Sequence, residues 1–131
     1  MRQVNGTFDV TLTPLADEGG TAVINRMAID KQFHGPLDGR SEGQMLATRT
    51  PVDGSAGYVA LERVTGTLEG RSGSFTLQHS GTMNRGAATL QLAVVPDSGS
   101  DGLAGIDGRM AITIADGAHY YEFDYTFDDR D

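Results

Sequence analysis

The chain contains no cysteine and no tryptophan. Without thiols there is no disulfide framework, no thiolate metal site and no cysteine nucleophile. That absence fits a reducing cytoplasm, the expected location. Lysine is almost missing too: Lys31 is the only one, and 10 basic residues face 18 acidic ones, a formal charge of -8. An acidic surface repels phosphate backbones, so nucleic acid is not an expected partner. No apolar run approaches the ~18 residues of a helical membrane span, and no basic start leads into the apolar stretch of a secretory signal. A membrane is therefore not an expected partner either. Without that secretory context the sequon Asn5-Gly6-Thr7 carries no meaning.

Glycine is what the chain has in excess, 18 of 131 residues. With no collagen period and no low-complexity run, the excess points to many tight turns between short strands. The length is that of one ordinary domain, so residues 1–131 read as a single unit. Hydrophobic residues make up 38%, enough for one core.

Period-two alternation runs through most of the chain. Phe8, Val10 and Leu12 alternate with polar neighbours, and a loop follows at Asp17-Glu18-Gly19-Gly20. Met27, Ile29 and Phe33 share a face of the second strand, and Gly43, Met45 and Ala47 mark the third. Tyr58, Ala60 and Val64 line the fourth strand, Phe75 and Leu77 the fifth, and Leu90, Leu92 and Val94 the sixth, which Pro96 ends. Met110, Ile112 and Ile114 line the seventh, and Tyr121, Phe123, Tyr125 and Phe127 the eighth. No window carries a helical stripe. The expectation is an all-β protein, an eight-stranded antiparallel up-and-down barrel, which leaves no free edge. A two-sheet sandwich is the alternative.

Asp116-Gly117 is a strong two-residue hairpin signal. Centring a hairpin there pairs Ile114 with His119, Ile112 with Tyr121, Met110 with Phe123 and Gly108 with Tyr125, so the apolar faces match. Turns are also expected near Asp38, at Val52–Asp53 and near Gly70. Connections at 34–42, 66–72 and 96–104 follow alternate strands of a meander and should gather at one end.

Several stretches carry a resemblance. They are Lys31-Gln32-Phe33-His34-Gly35, Tyr58 to Val64, Gly66 to Phe75 running into Gln78-His79, Val95 to Gly99, and His119-Tyr120. Together they resemble a bacterial family of small single-domain proteins known only as a domain of unknown function. That resemblance implies an eight-stranded, lipocalin-like barrel similar in fold to allene oxide cyclase. It implies no catalytic residues, and fold alone does not name a reaction.

Three ionisable residues break the apolar faces. Lys31 is in register with Met27, Ile29 and Phe33, Glu62 with Tyr58, Ala60 and Val64, and His79 with Phe75 and Leu77. If those faces point inward, these groups do too. A buried lysine needs an acid, because desolvation alone moves such pKa values by ~3–5 units. Placing the turn near Asp38 sets Lys31 opposite Met45. The next hairpin sets Met45 opposite Ala60 and Gly43 opposite Glu62, leaving Lys31 and Glu62 two strands apart, roughly 9–10 Å at the backbone. Two long side chains span that gap. A turn near Gly70 brings His79 opposite or diagonal to Glu62.

The expected site therefore holds Lys31, Glu62 and His79 as acid, base and electrostatic groups. Tyr58, Tyr125, Met45 and Phe75 are the expected ligand contacts. The expected ligand is a small apolar or amphipathic molecule, no cofactor is required, and a homo-oligomer stays open. A cofactor-free isomerase or cyclase is one reading, with Glu62 or His79 as acid–base. A non-catalytic barrel with a filled interior, whose Lys31–Glu62 pair only satisfies itself, is the other. No metal site is expected: His34 and His119 adjoin turns at opposite ends, and Asp97 to Gly102 has Gly108 where a calcium loop needs its closing glutamate. Asp128, Asp129, Arg130 and Asp131 read as a solvated tail.

Overall fold

The computed structural model describes residues 2–15 and 23–127. The expected loop at Asp17–Gly20 and the expected tail at 128–131 lie outside them. The strands are β1 (Arg2–Pro14), β2 (Ile24–His34), β3 (Leu37–Arg49), β4 (Ala56–Leu68), β5 (Arg71–Asn84), β6 (Ala87–Val94), β7 (Ser100–Asp101), β8 (Ile106–Ala115) and β9 (Ala118–Phe127). Every pairing is antiparallel. β1 pairs with both β2 and β9, and β4 pairs with both β3 and β5. With β6 joined to β5 and β8, the ring of eight closes. The two-residue β7 lies outside it, held to Gly73 and Ser74 of β5. No helix is present among the described residues, so none crosses a membrane as a helix.

The register of the β8–β9 hairpin is the one its Asp-Gly turn dictates, from Ile114↔His119 to Gly108↔Tyr125. The β3–β4 register likewise sets Gly43 against Glu62 and Met45 against Ala60. The β2–β3 hairpin differs from expectation. Its turn is Gly35-Pro36, with Gly35 at φ 111°, not Asp38. Lys31 consequently faces Ser41, and Met45 faces Met27. Asp38 and Gly39 are strand residues, and a Cβ on Gly39 would sit 2.5 Å from the Thr65 carbonyl oxygen. This glycine serves close strand approach rather than a turn.

The glycine-rich connections do gather at one end. Glu69 N donates to Pro36 O at 2.9 Å, and Gly102 N donates to Ser72 O at 2.8 Å. That end is filled. Phe33, Leu37, Leu68, Phe75, Tyr121 and Phe123 are wholly buried, and Leu103 folds in from the β6–β8 connection. Phe75 and Phe123 stack with ring centroids 5.7 Å apart, and Tyr121 donates to His34 O at 3.0 Å while accepting from Leu37 N at 3.1 Å. Each fully buried large apolar side chain contributes ~1.5–3 kcal/mol. Among the described residues the opposite end is not filled. Leu12, Met83, Leu90 and Ile114 continue the inward faces of their strands, yet they are 46%, 42%, 39% and 67% exposed. The barrel is therefore solid at one end and hollow at the other.

Candidate functional site

A polar cluster sits where the solid half meets the hollow one. Adjacent strands β2, β3, β4 and β5 deliver Lys31, Ser41, Glu62 and His79 to it, all buried. Lys31 faces Ser41 across β2–β3, and Glu62 faces Gly43 across β3–β4. A Cβ on Gly43 would meet Leu61 O at 2.0 Å and Glu62 Cβ at 2.9 Å, so only glycine lets the strands close beside this glutamate. Ala60↔His79 then puts the histidine diagonal to Glu62.

The Glu62 carboxylate accepts from three donors. Lys31 Nζ lies 2.8 Å from Oε2, Ser41 Oγ lies 2.8 Å from Oε1, and His79 Nε2 bonds Oε2. Because an ionised carboxylate only accepts, Nε2 donates to Glu62, and in the neutral form of the ring this leaves Nδ1 as the acceptor. Nδ1 lies 3.3 Å from the Tyr58 hydroxyl. The Lys31 ammonium also rests 4.9 Å from the Phe8 ring centroid and 5.8 Å from that of Phe33, contacts that favour a desolvated cation. Among the described residues no buried side-chain polar atom lacks a partner.

Burial pushes the Glu62 carboxyl upward. The His79 hydrogen bond and the charge of Lys31 outweigh it and hold the group at about 2. Glu62 is therefore an anion across the ordinary pH range. Burial, followed by the negative charge of Glu62, raises the Tyr58 hydroxyl, which stays protonated and can donate.

Above the cluster lies a cavity of about 440 Å³. Its walls are apolar, with Phe8, Ile29, Met45, Leu90 and Ile112 prominent, and Lys31, Tyr58, His79 and His119 are its polar members. A second hollow of about 440 Å³ adjoins it toward the mouth and shares Met45, Tyr58, Ala88 and Leu90 with it. Glu62 lies beneath the floor and does not touch the cavity.

The structure thus brings Lys31, Tyr58, Glu62, His79 and Met45 together. It keeps Tyr125 and Phe75 apart from them. Phe75 is in the solid half against Phe123. Tyr125 pairs with Arg2 and Gly108, and its hydroxyl donates to Glu69, which Arg2 also holds. Tyr125 lies six positions along β9 from His119 on the cavity wall, ~20 Å of strand. Both residues face inward as expected, but alternation fixes the face of a side chain and not its level along the barrel.

Ser41, Phe8 and His119 complete the site, and none of them was among the residues the sequence placed there. Gly35-Pro36 was the available signal for Ser41, since a turn there sets it opposite Lys31. His34 is at the solid end, 2.9 Å from Asp9. Among the described residues no three His, Asp or Glu side chains form a metal cluster.

Residues 4–125 match the model of a family described as protein of unknown function (DUF3224), and the chain belongs to that family. It is similar to a protein of unknown function from the same family in Shewanella oneidensis MR-1, known from a crystal structure. The two share 49% identity and a TM-score of 0.93 over 99% of each chain. No curated protein matches the chain.

Proposed function

We propose that this member of the DUF3224 family binds one small, largely apolar molecule in the hollow half of its barrel. The observation that carries the reading is the set of inward-facing apolar residues left exposed around a cavity of about 440 Å³. A barrel that served only as a scaffold gains by filling its interior, as this one does at its other end. The size suits a drug-sized or smaller molecule, and an apolar wall with a few convergent polar groups is the usual composition of such sites. The polar floor fixes the orientation of the guest. Its groups also suit cofactor-free isomerisation or cyclisation, the chemistry that a likeness to allene oxide cyclase suggests.

Titration with N-phenyl-1-naphthylamine, a neutral apolar fluorophore, tests the reading. We expect saturable enhancement of its emission at one molecule per chain. Leu90→Trp, at a partly exposed wall position shared by both hollows, should abolish it while leaving the melting temperature near that of the wild type. Emission that fails to saturate, or that Leu90→Trp leaves unchanged, overturns the proposal.

A further inference from the structure

The cavity floor offers a donor and an acceptor side by side. Tyr58 O–H and His79 Nδ1 are 3.3 Å apart, and both border the cavity. In a ketone the carbonyl oxygen and the neighbouring carbon lie roughly 2.4 Å apart, from standard bond lengths. A carbonyl oxygen seated on Tyr58 O–H therefore presents its α-C–H to Nδ1. Taking over the Tyr58 hydrogen bond also frees the Nδ1 lone pair.

Resting on the binding reading above, we infer that the bound molecule is a neutral apolar ketone and that His79 moves a proton at its α-carbon. Glu62 cannot be the base. It is off the cavity wall, and its oxygens already accept from Lys31, Ser41 and His79. Its position behind Nε2 instead holds the tautomer and stabilises the imidazolium, the arrangement of an oriented histidine base. Neutrality follows from the floor's own charges. The Lys31 ammonium is matched by the Glu62 carboxylate, so an anionic guest finds no uncompensated cation among the described residues of the floor.

The step balances with solvent as the only further reactant. The α-C–H bond breaks and an N–H bond forms at Nδ1. The electron pair becomes the enolate C=C bond, and the carbonyl becomes an enolate oxygen that accepts from Tyr58. Once the Nδ1 proton has swapped with solvent, Nδ1 delivers a solvent-derived proton to the same carbon, giving exchange; with a β,γ-unsaturated ketone it delivers the proton to the γ-carbon of the dienolate, giving isomerisation. Tyr58 and His79 are the catalytic residues. Glu62, Lys31 and Ser41 are positioning residues.

The test uses 2-tetralone in D2O, with loss of its α-proton signals followed by NMR and its binding read by displacement of N-phenyl-1-naphthylamine. Wild-type protein should exchange these protons saturably and at least ~100-fold faster than His79→Gln, whose amide still donates to Glu62. Tyr58→Phe should lower the rate ~100-fold, and Glu62→Gln should lower the maximal rate with little change in half-saturation. Both His79→Gln and Tyr58→Phe should still bind the ketone. If 2-tetralone displaces the fluorophore but exchanges no faster than in protein-free buffer, or exchanges equally in His79→Gln, the inference falls and the binding reading survives. If neither the fluorophore nor the ketone binds, both fall.

Discussion

Lys31 and Glu62 test each other. Removing the ammonium with Lys31→Met leaves a buried carboxylate supported only by Ser41 and His79, and breaking a buried ion pair in this way costs ~3–5 kcal/mol. The double change Lys31→Met with Glu62→Gln should recover part of that loss, because no unpaired charge then remains. Urea midpoints of both single variants and the double variant measure the coupling, and strictly additive effects would refute it. Acidity probes the same carboxylate. Its native value of about 2 lies below the ordinary 4.5, so the unfolded chain binds the extra proton between those values. Stability from this group is complete above pH 4.5 and drains away as the pH falls toward 2. Glu62→Gln should therefore flatten the loss of stability across that window. Glu69 is also held at about 2, by its hydrogen bonds from Arg2 and Tyr125, but at an exposed site. High salt screens that contribution and isolates the buried one.

Among elements, the β3–β4 pair carries the most constrained contact. Gly43 has ordinary extended backbone, yet a methyl group there collides with Leu61 O and Glu62 Cα, at 2.0 and 2.6 Å. Backbone cannot step aside as a flexible side chain can, so Gly43→Ala should lower stability by about 2 kcal/mol or more. A thermal melt unchanged from the wild type would show that the strands have room to spare. Glycines of this kind also set the limits of reading the sequence. Asp116-Gly117 is a true turn, with φ of 52° and 79°, and every pairing of β8–β9 followed from it. Leu37-Asp38-Gly39 has the same composition but lies within β3, where Leu37 is wholly buried and Gly39 yields to Thr65 across the strand pair. Local composition does not separate a glycine that turns the chain from one that lets two strands touch. The error moved one register and hid Ser41, while the inward faces of Lys31, Glu62 and His79 depended on parity alone and were legible. The level of Tyr125 and Phe75 along the barrel needed every register at once.

At the scale of the whole molecule, one barrel holds two interiors with opposite demands. The solid half packs aromatic rings and caps itself with Leu103 and with hydrogen bonds among its connections. In the hollow half the described residues give the same strands no inner layer, so their mouth-side hydrogen bonds have less apolar burial behind them. Hydrogen exchange should report that division along single strands. On β4, amides near Val64 and Leu68 should exchange far more slowly than those near Tyr58; on β6, Leu92 and Val94 should outlast Ala88 and Leu90. A ligand that binds only the folded barrel stabilises it by RT ln(1 + [L]/Kd), about 2.7 kcal/mol at a hundredfold excess over Kd. N-phenyl-1-naphthylamine seated in the hollow should therefore slow exchange first around Tyr58, Leu90 and Ile112, whose local openings expose the cavity. Amides of the solid half should change only through the global term. Uniform protection along each strand before ligand is added, or equal slowing in both halves at low occupancy, would mean that the two halves open as one and that the hollow is not a separable binding unit.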